Sequence, residues 1–488
     1  MKQLLTTEDT EFTVYGKGSW GKMIQSLLCV LCVLCGSNAF AKAPAVKQTA
    51  PLEIKIPDFH SKTLSCGMKV LFLRNDEMPL VEVKFLSPGG FSIDPPGKEG
   101  LTSQMNAALR DGGAGKLSPE AFDEALENKA ASMSASADQE SFTAGFKCLA
   151  DDLPEIFGLF SDMLRKPGFD AKRLETEKAN TIDALNRLED TPDALTRVIF
   201  YKSLMGQSPY GRWASPMSVA TINRSDVVGF YQKHFGPQGA MLTVAGKFNE
   251  EKVFKQLETL FAGWKSQEPL ASGLDAKPLG PTIYFFPKDV TQVFARFGVL
   301  GVKRHDPRQI PLQVANDILG GSGFTSRLMQ EIRSDRGLAY FVQSYFLPFN
   351  IRGPFQVVGG TRPDSVKEYL SVMFKVMADF EKKGPTEKEL LEAKQSMIEE
   401  YAYNFESPFS VANYKASLDF NGYPENYLKT YRSKIKDVTQ KQAAEAARMI
   451  LSQKNWVLVV CGPGALEKEL SALGKVIKVK SIFEPLEK

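Results

Sequence analysis

Two stretches of sequence decide the fold, MLTVAGKF at residues 241–248 and WVLVVCGPG at residues 456–464. Each is a short apolar run rich in β-branched residues that ends at glycine, which is typical of a buried strand followed by a turn. The glycines that end the two runs, Gly246 and Gly462, are 216 residues apart. This spacing suggests that the two runs are equivalent strands of a repeated unit.

Two more pairs of segments repeat at nearly this spacing. Lys178 in RLETEKANTIDAL and Lys394 in LLEAKQSMIEEY are also 216 residues apart. Asp94 in FSIDPPGKEGL and Asp306 in KRHDPRQIPL are 212 residues apart. Three independent segments at nearly one offset predict an internal duplication.

Local patterns within the first copy predict an α+β unit with a mostly antiparallel sheet. MKVLFLRND and LVEVKFLSPGG are predicted strands, and Ser118 before Pro119 is a predicted helix N-cap. ASMSASA and SFTAGFKCL, separated by a short polar turn, predict a β-hairpin. Residues 266–281 are rich in Pro, Gly, Ser and Ala, which is typical of a linker. The predicted organisation is therefore a signal peptide at 1–41, a first domain at 42–265, this linker and a second domain at 282–488.

The N-terminus has the pattern of a secretory signal peptide. Lys17 and Lys22 precede the apolar run at residues 27–35, and a small-residue A-x-A site follows at residues 39–41. The apolar run is too short to span a bilayer. We expect export to the periplasm or the medium, with a mature chain that begins at Lys42; whether translation starts at Met1 or Met23 stays open.

Composition excludes several classes of protein and site. Sixty basic and 57 acidic residues give a net charge of +3, which does not favour a nucleic-acid partner. His60, His234 and His305 are far apart in sequence, so two histidines cannot share one helical turn. Three cysteines remain after the signal peptide without a zinc-binding spacing, and whether any two form a disulfide stays open: they are Cys66, Cys148 and Cys461.

Four segments, in this order, resemble the insulinase/pitrilysin-type zinc peptidases, a family that includes mitochondrial processing peptidase and the bc1 core proteins. The segments are GGFSIDPPGKEGLTSQMNAAL, SPYGRWASP, RSDVVGFYQKHFGPQGAMLTVAGKF and GGSGFTSRLMQEIRSDRGLAYFVQSYF. The resemblance implies two homologous halves, each a mostly antiparallel six-stranded sheet flanked by helices. It also implies a clamshell arrangement of such units around an extended peptide.

The resemblance places a degenerate zinc site in the first half. Active members carry H-x-x-E-H, in which two histidines on one helical face bind Zn²⁺ and the glutamate activates the bound water. Ser103, Asn106 and Ala107 replace these residues, and Ala184 replaces the distal glutamate. We therefore expect no metal or other cofactor in this chain and no peptide hydrolysis by the chain alone.

The second half retains the family's Arg/Tyr pair, at Arg333 and Tyr340, after the glycines Gly320 and Gly321. The resemblance implies that these four residues bind substrate and that the pair reaches toward the metal site of an opposing half. A guanidinium and a phenol are donors suited to a developing oxyanion. The alternative is that Arg333 pairs with a carboxylate and Tyr340 packs in the sheet. Arg327 and Arg336 are expected to be solvated.

These features favour a non-catalytic subunit of an exported zinc-peptidase heterodimer. The expected partners are a homologous subunit that carries H-x-x-E-H and an unfolded or short peptide, with neither nucleic acid nor a membrane span. The alternative is a scaffold or peptide-binding protein of the same fold with no peptidase role, which would use its cavity and exposed sheet edges.

Overall fold

The computed structural model describes residues 54–206, 208–265, 276 and 280–486. Two six-stranded sheets form its framework, in the orders β1-β2-β6-β3-β5-β4 and β12-β7-β11-β8-β10-β9. Helices flank both sheets, so the predicted fold class is confirmed. The predicted signal peptide and most of the predicted linker lie outside the described residues, and the domain boundaries stay a prediction.

The first sheet is antiparallel except where β2 pairs with β6. Its central strand, β6, is buried along its whole length, as the sequence predicts for MLTVAGKF. The strands are β1 (His60–Thr63), β2 (Lys69–Arg74), β3 (Leu80–Pro88), β4 (Ser132–Ala137), β5 (Ser141–Leu149) and β6 (Met241–Gly246).

The second sheet repeats this order in five of its six strands, but its edge strand β12 comes from the end of the chain. It has two parallel pairs, β7 with β11 and β7 with β12. Its fully buried central strand, β11, is the VLVVCG part of the predicted run WVLVVCGPG. The strands are β7 (Thr282–Pro287), β8 (Val293–Leu300), β9 (Ala339–Phe346), β10 (Pro354–Thr361), β11 (Val457–Gly462) and β12 (Val476–Lys478).

Helices alternate with these strands in both halves. Those that precede β7 are α1 (Leu101–Asp111), α2 (Pro119–Glu127), α3 (Leu153–Arg165), α4 (Ala171–Asn186), α5 (Pro192–Leu204), α6 (Pro216–Ala220), α7 (Arg224–His234) and α8 (Glu250–Phe261). Those that follow β8 are α9 (Gln309–Asn316), α10 (Val366–Lys383), α11 (Glu387–Glu400), α12 (Pro408–Phe420), α13 (Tyr427–Lys436), α14 (Gln440–Leu451) and α15 (Glu467–Ser471). Within the described residues, none of the helices has both the length and the apolar character that a membrane crossing requires.

The duplication is visible in individual contacts as well as in strand order. Lys178 Nζ donates to the carbonyl of Ile222 at 3.3 Å, and Lys394 Nζ donates to the carbonyl of Val438 at 2.8 Å. Donor and acceptor are both displaced by 216 residues between the two contacts. Equivalent lysines therefore join equivalent pairs of segments in the two halves.

Local capping also follows the sequence. Ser118 Oγ accepts a hydrogen bond from Ala121 N at the start of α2, as predicted for an N-cap. In the predicted hairpin, Asp138 Oδ1 accepts from the backbone N–H groups of Glu140 and Ser141 at 2.7 Å each. The β4–β5 register is therefore fixed by an Asp-centred turn.

Each half supplies one helix to the sheet of the other half. Helix α5 packs on the second sheet, where Leu195, Val198 and Ile199 form one buried cluster with the strand residues Tyr284 and Val459. Helix α12 packs on the first sheet in return. Both sheets thus have helices of their own half on one face and a helix of the other half on the opposite face.

Candidate functional site

The start of α1 is held by a buried carboxylate. Asp94 accepts hydrogen bonds from Gly100 N and Thr102 N, both at 2.8 Å, and from Thr102 Oγ1 at 2.6 Å. Gly100 has a φ of 104°, a conformation that favours glycine and lets the chain turn sharply into the helix. Burial raises the pKa of Asp94 to about 6, against the lowering effect of these donors.

The four predicted zinc-site positions carry no metal-binding side chain. Ser103 is exposed on α1, Ala107 is half-buried, and Ala184 is exposed on α4. Asn106 is buried, and its Nδ2 donates to the carbonyl of Thr102 at 2.8 Å. Asn106 Oδ1 has no partner among the described residues. A hydroxyl, an amide and two methyl groups do not fit a Zn²⁺ site.

A hydrogen-bond chain instead joins the two helices. Gln104 Nε2 on α1 donates to Thr181 Oγ1 on α4 at 2.9 Å, and Thr181 Oγ1 donates to Glu177 at 3.2 Å. Burial raises the pKa of Glu177. Throughout the described part of the chain, no three His, Cys, Asp or Glu side chains lie close enough together to hold a metal ion.

Sequence reasoning missed Gln104 and Thr181 because it considered only the positions of the metal ligands. Gln104 is fully buried although it is polar, and a polar residue on the inward face of a helix has to find a partner. The polar residue at this inward position was therefore the sequence signal for a hydrogen bond to a neighbouring helix.

The structure brings Arg333 and Tyr340 together. The Arg333 guanidinium lies 4.9 Å from the centre of the Tyr340 ring and 4.7 Å from that of Phe324. Both aromatic rings reach solvent, since Tyr340 is 75% exposed and Phe324 is 57% exposed. Phe324 was not predicted; an aromatic residue in the glycine-rich stretch after Gly320 was the signal for it.

Two irregular backbone features create this arrangement. Arg333 lies in a π-helical turn, Met329–Ser334, and Tyr340 is the extra residue of a β-bulge. In the β9–β10 register, Gly360 pairs with Phe341 and Thr361 pairs with Ala339, so Tyr340 has no partner across the sheet. A bulge re-aims a side chain, and π-turns are frequent at functional sites.

Neither part of the alternative for this pair matches its surroundings. Among the described residues, Arg333 has no carboxylate partner, whereas Arg336 pairs with Glu331 at 2.7 Å. Tyr340 projects from the edge strand rather than packing within the sheet. The substrate role of Arg333 and Tyr340 stays a prediction.

The two glycines near this pair have different surroundings. Gly320 is buried, and a Cβ there would lie 2.6 Å from both the backbone nitrogen and Oγ of Ser344 on β9. Gly321 is exposed, and a Cβ there would lie 2.8 Å from Asn316 Nδ2. Both positions let the chain approach its neighbours closely, and their predicted contact with substrate is untested.

The expectation that Arg327 is solvated was wrong. Its guanidinium forms a two-bond ion pair with Glu389 at 2.6 and 2.7 Å and lies over the Phe380 ring. Burial would raise the pKa of Glu389, but the hydrogen bonds from Arg327 and Thr386 lower it to about 2. Arg327 therefore joins the segment before Arg333 to the start of α11.

The fold and the site together define a peptidase-like protein of two homologous halves whose metal position lacks ligands. Comparison with known families agrees with this class. The family model for insulinase (peptidase family M16) matches residues 78–212, and the model for the peptidase M16 inactive domain matches residues 221–397. The chain belongs to the insulinase family, peptidase family M16.

Relatives with similar sequences are described both as peptidases and as non-peptidases. An uncharacterized zinc protease of Streptomyces coelicolor is 25% identical over 330 residues, which cover 65% of this chain and 71% of that protein. The non-peptidase homolog YmxG of Helicobacter pylori is 25% identical over 395 residues, covering 78% and 89% respectively. The crystal structure of a peptidase M16 inactive domain from Pseudomonas fluorescens matches with a TM-score of 0.77 and 25% identity, covering 88% of this chain and all of that one.

Proposed function

We propose that this chain is the non-catalytic subunit of an exported zinc-peptidase heterodimer. The observation that carries the proposal is the pair Arg333 and Tyr340, which is exposed, in mutual contact and without a carboxylate partner among the described residues. The same chain lacks every zinc ligand that its family uses. The hydrogen-bond donors of such a site are thus present in this chain, and the metal ligands are absent from it.

The part proposed for this chain is binding and orientation. The Arg333 guanidinium and the Tyr340 hydroxyl would donate hydrogen bonds to the carbonyl oxygen of a bound peptide, and these bonds strengthen as negative charge develops on that oxygen. The Phe324 ring lies against the Arg333 guanidinium and therefore limits the positions that the guanidinium can adopt. Zinc belongs only to the partner subunit in this proposal.

The predicted signal peptide at 1–41 supports an exported, periplasmic or secreted site of action. The proposed substrate is an unfolded or short peptide, since the family binds extended peptides.

A second candidate function is a scaffold or peptide-binding protein with no peptidase role. It is favoured by the relative named a non-peptidase homolog, because that protein matches this chain over 89% of its own length. A neighbouring open reading frame that encodes an H-x-x-E-H homologue would favour the heterodimer over this candidate.

Co-expression with such a homologue tests the proposal directly. We expect the two subunits to elute together in size-exclusion chromatography and to cleave an unfolded peptide only as a complex. Arg333→Ala and Tyr340→Phe should leave the complex assembled and lower kcat by about 10²–10³. Arg333→Lys should restore only part of the rate, because an ammonium lacks the planar fork of donors.

Arg336→Ala is the matched control, since Arg336 is a nearby arginine in a partly exposed local pair with Glu331. Arg327→Ala is unsuitable because it breaks the half-buried pair with Glu389. Unchanged turnover in both the Arg333 and Tyr340 variants, or no association with the homologue, would overturn the heterodimer and leave the scaffold or peptide-binding role.

A further inference from the structure

A polar cluster lies where α5 of the first half covers the second sheet. At its centre is Arg296 on β8, which is only 2% exposed. Arg296 Nη1 donates to Gln356 Oε1 at 2.6 Å and to the Tyr345 hydroxyl at 3.1 Å, and Nη2 donates to Asp193 at 2.7 Å. Arg296 Nε is buried and has no partner among the described residues.

A second guanidinium belongs to the same cluster. Arg197 follows Asp193 by one turn of α5, and Tyr201 follows Arg197 by one more, so the three side chains share a helix face. Burial raises the pKa of Tyr201 to about 12, and the nearby charges of Arg296 and Arg197 oppose the rise. The Arg197 side chain therefore lies on the helix face whose Asp193 binds Arg296.

The cluster has more positive charge than its own carboxylate can balance. Arg197 is half-buried, and none of the described residues forms a hydrogen bond or an ion pair with its guanidinium. Its Nε is buried without a partner, like that of Arg296. Asp193 is the one carboxylate among these residues, and it already binds Arg296. One guanidinium is thus left unbalanced.

An unpaired, partly desolvated arginine is unfavourable unless an anion completes it. The planar fork of a guanidinium matches a carboxylate, which can accept two parallel hydrogen bonds. Tyr345 lies beside Arg296 and adds a hydroxyl donor at the solvent margin of the cluster. The chemistry of the donor set therefore favours one carboxylate group.

We propose that Arg197, on the helix face whose Asp193 binds Arg296, binds a carboxylate of a peptide together with the Tyr345 hydroxyl, an inference that rests on the proposed function only for the ligand being a peptide. Tyr345 follows Tyr340 by five residues on β9, which is roughly 16 Å along an extended strand. The carboxylate would then lie roughly five residues from the peptide bond that Arg333 and Tyr340 bind. It is the side chain of an acidic residue or the C-terminus of the peptide.

Peptide binding to the isolated chain tests the proposal without any peptidase partner. Three ten-residue peptides, labelled with fluorescein at the N-terminus, differ only in their carboxylates. The first has one central glutamate and an amidated C-terminus, the second has glutamine there and the amide, and the third has glutamine and a free C-terminus. By fluorescence anisotropy, we expect the first or the third to bind about tenfold more tightly than the second.

The peptide with the higher affinity identifies the source of the carboxylate. Arg197→Gln should abolish the preference without lowering Tm, since no described residue loses a partner. Arg197→Lys should keep part of the preference, because it keeps the charge and loses the fork. Arg74→Gln is the control, since Arg74 is an exposed arginine paired with Asp76 in the first sheet.

Equal affinity for all three peptides would overturn the proposal, as would a preference that persists in Arg197→Gln. Neither result depends on turnover, so both are distinguishable from failure of the heterodimer. Loss of cleavage in a complex that still prefers carboxylate peptides would count against the proposed function alone.

Discussion

At the scale of single residues, α1 shows how a metal site can be lost while its helix persists. Met105 and Leu109 remain fully buried and keep the helix packed on the first sheet. The substituted positions Ser103 and Ala107 lie outside that packed face. Because packing rather than coordination holds the helix, losing the ligands leaves the fold intact.

Metal content should reflect this loss. Without histidine, cysteine or carboxylate at positions 103, 106, 107 and 184, the purified full-length chain should contain well below one zinc per molecule by elemental analysis. A strong chelator should leave its Tm unchanged, because no folding free energy comes from metal binding. About one zinc per chain, removed only by strong chelation with a fall in Tm, would contradict this prediction.

Asp317 should make stability depend on pH. Burial, together with the negative charge of Glu400, raises its pKa to about 7, and Asp317 Oδ2 has no partner among the described residues. The folded state therefore holds a proton that the unfolded state releases near pH 4, and the free energy of unfolding falls as pH rises from about 4 to 7. The loss from this residue should be about 4 kcal/mol, because each pKa unit corresponds to about 1.4 kcal/mol.

Asp317→Asn removes that dependence and tests the sign. The variant should be about as stable as the unsubstituted protein at pH 4 and more stable at pH 8, measured by urea unfolding. Asp364→Asn is the control, since Asp364 is exposed and its pKa is lowered by Ser365 and Arg362. A variant less stable than the parent at pH 8 would contradict this prediction, because it would show that ionised Asp317 is stabilised by a partner more strongly than burial of its charge destabilises it.

At the scale of elements, periodicity predicted what is regular. The strands β6 and β11 and the β4–β5 hairpin follow from local patterns. The repeat pairs Lys178 with Lys394, and the structure adds that the two lysines make equivalent contacts. The outer edge strands do not follow the repeat: β1 precedes β2 in the first sheet, whereas β12 comes from the end of the chain. Repeated sequence cannot indicate which distant segment completes an edge.

The exchanged helix α5 also escaped prediction. Nine of its thirteen residues are buried, because the second sheet covers one side and neighbouring segments cover the rest. A helix that is apolar on most sides indicates burial but not its neighbour. The approach of Arg333 to Tyr340 is likewise set by a π-turn and a bulge, and neither has a periodic signature.

Packing at Gly320 should control the shape of this site. In Gly320→Ala, the added methyl group would meet Ser344 N and Oγ at 2.6 Å and Leu328 at 2.9 Å, so β9 must shift. We expect a loss of about 1–3 kcal/mol in the free energy of unfolding. Gly323→Ala is the control, because a Cβ there meets nothing within 4 Å and only its φ of 61° adds strain. Equal, small losses in both variants would show that β9 tolerates the methyl group.

At the scale of the whole molecule, the exchanged helices make the two halves depend on each other. Polar contacts between the halves reinforce the exchange, since Glu140 in the first half accepts from Arg304 at 2.7 Å and from the Asn350 backbone at 2.7 Å. Without α5, the second sheet would expose the apolar face that contains Tyr284 and Val459. A large exposed apolar face favours association or aggregation.

A chain divided within the predicted linker should therefore reassemble. We expect residues 42–270 and 271–488, expressed together as separate chains, to elute as one complex with a single cooperative unfolding transition, because each fragment covers a sheet of the other. Each fragment expressed alone should aggregate or bind a hydrophobic dye, since one face of its sheet has lost its helix. Replacing Ile199, which is fully buried on α5, by aspartate should prevent reassembly, whereas aspartate at the exposed Thr191 just before α5 should not. Two soluble, separately folded fragments that do not associate would show that the halves are independent domains and that the exchanged helices contribute little.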